Sequence, residues 1–137
     1  MCTNIVRDYR RIYQGRFKSF PIELDEHLLA VLRYVERNAL RAGLVRRAQD
    51  WRWCSLWRRS QGVEDGLLSE WPMEVPADWV RRVNRAQSAA ELEALRTCVK
   101  RGRPCGAEAW TARMAKKLGL EYSLRPRGRP PKRQKGK

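Results

Sequence analysis

The chain is short of histidine, of acid and of long apolar runs. One histidine, His27, stands among 137 residues, so no His-x-His metal pair exists anywhere in it. Four cysteines at 2, 54, 98 and 105 form no CxxC pair. A structural zinc site needs about four nitrogen or sulfur ligands, and this inventory does not space them for one. Scattered free thiols, without a structural disulfide, are expected. No stretch is apolar for long enough to span a bilayer, and the N-terminus has no signal-peptide core. Those two absences predict a cytoplasmic protein without a membrane partner.

What is abundant is positive charge. Lys and Arg number 30 against 15 acids, a net charge of +15. That excess predicts a polyanionic partner, either nucleic acid or an anionic membrane surface. The tail from Ser123 contains no acid, while Arg125, Arg127, Arg129, Lys132 and Arg133 supply cations among prolines and glycines. A disordered basic tail is expected over 123–137. Arg127-Gly128-Arg129-Pro130 has the form of a short minor-groove arm, although many basic tails share it.

Local signals divide the rest. Arg16 to Ile22, with two phenylalanines and a proline, predicts an edge strand carrying Arg16 and Lys18. Asp25 is an N-cap, Glu26 suits the first turn, and Gly43 fits the C′ position, with Leu44 placed to pack back. A helix over about 25–43 follows. Leu28, Leu32, Val35 and Ala42 make its apolar stripe. A second stripe carries His27, Val31, Tyr34, Asn38 and Arg41, which puts Tyr34 and Asn38 one turn apart, roughly 6 Å between stems. Arg33, Arg37 and Arg41 share this helix. Trp51, Trp53 and Trp57 favour core packing over stacking on unpaired bases, because tryptophan buries so much area. Residues 61–87 read as a connector, from which Trp71, Trp79 and Val80 dock on a neighbouring surface. Ser88-Ala89-Ala90-Glu91 is a capping box opening a helix with Leu92, Leu95 and Val99 inward, ended by Gly102 and Pro104. Another helix over about 107–118 turns Trp110, Met114 and Leu118 inward and ends at Gly119. The short turn between these two permits a helix-turn-helix.

Several segments in order carry a resemblance: Gln14-Gly15-Arg16-Phe17-Lys18-Ser19-Phe20-Pro21-Ile22, Asp25-Glu26-His27-Leu28-Leu29, Leu32-Arg33-Tyr34-Val35-Glu36-Arg37-Asn38, Leu40-Arg41-Ala42-Gly43-Leu44-Val45 and Asp50-Trp51-Arg52-Trp53. Together they resemble the REP-associated tyrosine transposases, within the single-tyrosine HUH transposases of bacteria. The resemblance covers residues 1–57, with weaker echoes near Gly102 and in the tail. It implies an α+β fold, part of a ferredoxin-like HUH domain over 1–60, followed by a connector (61–87), a helical DNA-binding region (88–122) and the tail. It also implies Tyr34 as the nucleophile that attacks a DNA phosphate, and Asn38 as a ligand of Mg or Mn. Arg16, Lys18, Arg33, Arg37, Arg41, Arg125, Arg127, Arg129, Lys132 and Arg133 are then expected on DNA backbone.

The family's metal is held chiefly by a paired-histidine strand, which this sequence lacks. His27 falls at the helix start, and one imidazole with one amide rarely holds a metal. The resemblance therefore implies that sheet and histidines would precede residue 1, leaving a truncated chain. Such a chain would bind single-stranded palindromic repeat hairpins, associate with the nucleoid, and not cleave unaided. A homologous transposase could supply the missing parts in trans. Ala39 stands where relatives usually carry proline, which predicts an unbroken helix past Asn38. Two alternatives stay open: a non-catalytic hairpin-binding module that competes with an intact transposase, or a general basic nucleic-acid-binding protein.

Overall fold

The computed structural model describes residues 18–125 and residue 128. Six α-helices follow in order: α1 (Glu26–Glu36), α2 (Asn38–Arg41), α3 (Ser55–Ser60), α4 (Trp79–Asn84), α5 (Ala89–Arg101) and α6 (Glu108–Leu118). Short 3₁₀ turns sit at Ala48–Asp50 and Glu121–Leu124.

The local signals explain the helix ends. Asp25 Oδ1 accepts the His27 backbone N–H at 2.8 Å, which starts α1. The Ser88–Glu91 box is closed in both directions at the head of α5. After α2, the Leu44 N–H reaches the Ala39 carbonyl and the Gly43 N–H the Leu40 carbonyl, both at 3.0 Å, with Gly43 at φ +72°. This is a Schellman closure. The Leu44 side chain nevertheless remains 62% exposed and does not pack back.

The expected α+β fold is not found: the described residues are helical and form no strand. Residues 18–22 of the expected edge strand make a single parallel bridge, Ile22 to Cys105. The Cys105 N–H donates to the Pro21 carbonyl and the Glu23 N–H to the Cys105 carbonyl, each at 2.9 Å. The ladder stops there for a chemical reason. Pro21 has no N–H to give the preceding rung to the Arg103 carbonyl, and the Ala107 N–H, which would give the next one, is taken by Glu23 Oε2 at 2.7 Å. The same bridge pins the α5–α6 connection. That connection, residues 102–107, is longer than the three- or four-residue turn of a helix-turn-helix.

Helix α1 lies between two apolar clusters. One gathers Leu29, Ala48, Leu56, Trp79 and Val83, with Leu32, Leu40, Trp71 and Met73 against them. The other gathers Leu95, Cys98 and Cys105, with Phe20, Ile22, Val31 and Tyr34 against them. The stripe expected from Leu28, Leu32, Val35 and Ala42 is therefore displaced. The buried positions are Leu29, Glu36 and Ala39, while Val35 is 58% exposed. Glu36 is 3% exposed and accepts from Ser55 Oγ at 2.6 Å and from Trp79 Nε1 at 2.7 Å. Those two donors satisfy a buried carboxylate, so its position counts as core.

The helix also breaks between Glu36 and Asn38, against the expectation drawn from Ala39. Arg37 sits at φ −81°, ψ −3°, in the bridge region where the regular ladder opens. On α6, Thr111 and Ala115 are buried and Leu118 is half exposed, so the helix turns its small side chains inward. The 61–87 segment carries α4, whose Trp79 and Val83 belong to the first cluster. No helix of the described residues is long and apolar enough to cross a membrane.

Candidate nucleic-acid interface around Tyr34 and the basic surface

Tyr34 and Asn38 are brought to one side of the α1–α2 rod, and Arg41 joins them. Tyr34 is half buried, its ring packed on the Leu95–Cys98–Cys105 cluster. The Arg41 guanidinium lies 4.2 Å from the centroid of that ring, within cation–π range. The same guanidinium donates to Asn38 Oδ1 at 2.6 Å. Asn38 is otherwise exposed.

This arrangement does not suit a divalent ion at Asn38. The only amide oxygen available for coordination is held by a cation, and a second cation there would meet direct repulsion at short range. The one set of metal-type side chains among the described residues is Glu23, Asp25 and His27, with ligand atoms within 4.8 Å of one another. It includes neither Tyr34 nor Asn38. Its members already serve helix starts: Asp25 caps α1 and receives the His27 ring nitrogen at 2.8 Å, and Glu23 accepts the Ala107 N–H beside α6. That cluster lies apart from the Tyr34–Asn38 pair to which the resemblance assigns Mg or Mn.

The expected DNA-contacting arginines divide. Arg33 Nη2 donates to the carbonyls of Arg85 and Ala86 at 2.7 and 2.9 Å, and its Nη1 lies 3.7 Å from Glu91. Arg37 Nη1 donates to the Val83 carbonyl at 3.1 Å and also to that of Asn84. Between them these two side chains satisfy the carbonyls at the C-terminal end of α4. Burial, then the neighbouring charges of Arg33 and Arg41, lower the Arg37 pKa. Lys18 and Arg125 are exposed. Arg16, Arg127, Arg129, Lys132 and Arg133 lie outside the described residues.

Other cations, not singled out from the sequence, face solvent. They include Arg96 and Lys100 on α5, Arg113, Lys116 and Lys117 on α6, and Arg46, Arg47 and Arg52 in the loop before α3. Arg96 and Lys100 are one turn apart and point away from buried Leu95 and Cys98. Helical spacing within α5 would have identified that pair.

Trp53 departs most from expectation. It is 70% exposed, while Trp51 and Trp57 are half buried and Leu56 takes the core position of that segment. The Arg52 guanidinium lies 4.5 Å from the Trp53 ring centroid.

Comparison with protein families, with characterised proteins and with solved structures finds no match to this chain.

Proposed function

We propose that this chain is a DNA-binding protein of the REP-associated tyrosine transposase type. It holds single-stranded palindromic hairpins on its basic surface, acts at the nucleoid in the cytoplasm, and does not cut DNA by itself. The ordered motifs from Gln14 to Trp53 support the family, and the net charge of +15 supports the polyanion. Tyr34 stands where the family's nucleophile would stand.

The observation that carries the non-cleaving part is Arg41. It bonds the Asn38 oxygen and covers the Tyr34 ring, so a divalent ion would have to displace it to reach that oxygen. A guanidinium can bind a phosphate there, but it does not supply the divalent-ion chemistry that such a tyrosine attack uses.

The test is fluorescence anisotropy with a labelled DNA hairpin and a duplex of equal length at one salt concentration. The hairpin is expected to bind several-fold more tightly, with affinity falling linearly in log–log form as salt rises. Equal affinity for hairpin and duplex would leave only a general basic binder. No binding at about 0.1 M salt, where phosphate-driven binding is still strong, would refute the reading.

A further inference from the structure

The hollow beside Trp53 has no role in the reading above. It has a volume of about 390 Å³ and is lined by Val35, Asn38, Ala42, Leu44, Trp51 and Trp53, among others. That volume lies within the ~300–1,000 Å³ typical of ligand pockets. Three apolar side chains around it stand open to solvent: Val35, Leu44 at 62% and Trp53 at 70%. An indole left this exposed contributes little to the fold.

We propose that this hollow seats an unpaired nucleobase of a bound single strand, stacked on Trp53. The inference rests on the nucleic-acid reading and names a site for it. Charge selects the occupant. Arg46, Arg47 and Arg52 are exposed in the loop that carries Trp53. Arg52 already lies over the indole, which puts a cation beside any base stacked there and within reach of its phosphate. The acids nearby are engaged. Glu36 is buried with its oxygens bonded to Ser55 and Trp79, and Asp50 faces Arg47 at 3.8 Å. Asn38 gives its oxygen to Arg41, which leaves its amide N–H₂ as a donor at the pocket wall for a base carbonyl. An apolar plane, a cationic rim and one amide donor match a base on a phosphodiester backbone. An apolar peptide would leave the arginines without partners.

The test uses the full chain and two labelled single-stranded oligonucleotides of the same length and charge, one all-thymidine and one with abasic residues throughout. The thymidine strand is expected to bind about 5- to 150-fold more tightly, the range one to three kcal/mol per stacked base implies. Trp53→Ala should bring that ratio to near one and leave the abasic affinity unchanged, while Trp53→Tyr should restore part of it. Trp53 is mostly in solvent, so the variant folds. Equal affinities for the two strands in the native chain would overturn the stacking site and leave DNA binding standing. A ratio that survives Trp53→Ala would place the base elsewhere and overturn it too. Binding of neither strand would remove the nucleic-acid reading and this site together. Sedimentation that shows a dimer dissolved by Trp53→Ala would give the hollow to a second copy and overturn the proposal.

Discussion

Trp79 donates its indole N–H to Glu36 across 43 positions of sequence, at 2.7 Å, in the middle of the first apolar cluster. This bond ties α1 to α4, and Ser55 brings α3 to the same carboxylate. Glu36→Ala would leave two donors without a partner, at about 1–3 kcal/mol for each that stays dry. Urea unfolding followed by tryptophan fluorescence should show a lower midpoint with little change in slope. Glu36→Gln keeps an acceptor and should fall between the two.

Arg37 and the α5 cations should separate into two kinds of effect. Arg37→Ala removes a charged donor from the end of α4 and should cost about 1.5–3 kcal/mol of stability. Arg96→Gln with Lys100→Gln removes exposed charge from α5 and should leave stability within about 0.5 kcal/mol. The α5 variant, and not Arg37→Ala, should weaken DNA binding, reducing the salt slope by about one for each phosphate no longer neutralised. Paired unfolding and salt-titration measurements check both.

Two helix starts should fail in acid. Slight burial pushes Asp25 up, but the hydrogen bonds and charge of His27 outweigh it and hold the carboxyl below its usual range. The Ser88 backbone N–H holds Glu91 down against slight burial, with the Ser88 hydroxyl, Arg33 and Arg85 adding to it. A depressed folded pKa contributes stability that is fully present above the unfolded pKa, about 4, and is lost as pH falls through the folded value. Unfolding midpoints should therefore decline below about pH 4. Asp25→Asn with Glu91→Gln should flatten that decline, since neither replacement titrates; an unchanged acid limb would show that the caps do not set it.

Cys98 and Cys105 should differ in reactivity. A hydrogen bond from the Cys105 thiol brings Cys98 down to about 7, against burial and with help from Arg103. The same bond, with burial, pushes Cys105 up. Brief treatment with a small alkylating reagent at neutral pH, then peptide mapping, should find label on Cys98 ahead of Cys105. Cys105→Ala should slow that labelling.

The helix ends were legible because their causes are local. Asp25, Ser88 with Glu91, Gly43, Gly102 and Gly119 each act within about one turn of the helix they start or stop. The misplaced residues depend on distant partners. Glu36 is inside because Ser55 and Trp79 meet it, and nothing in the α1 sequence announces either. Trp53 is outside because Leu56 fills the core position nearby. The 18–22 segment pairs through one rung because Pro21 offers no N–H on one side and Glu23 Oε2 takes the Ala107 N–H on the other, and that second cause lies far away in sequence. The pairing of Tyr34 with Asn38 follows from helical spacing, but the arginine between them does not reveal its choice of partner until the side chains are placed.

The most direct test of binding without cleavage uses one labelled hairpin, incubated with the chain and Mn²⁺ and divided between a native and a denaturing gel. The expected result is a shifted complex on the native gel and free, uncut hairpin on the denaturing one, for both the native chain and Tyr34→Phe. A denaturant-resistant protein–DNA adduct that forms with Tyr34 and disappears with Tyr34→Phe would contradict it, and would make this tyrosine a working nucleophile beneath its arginine.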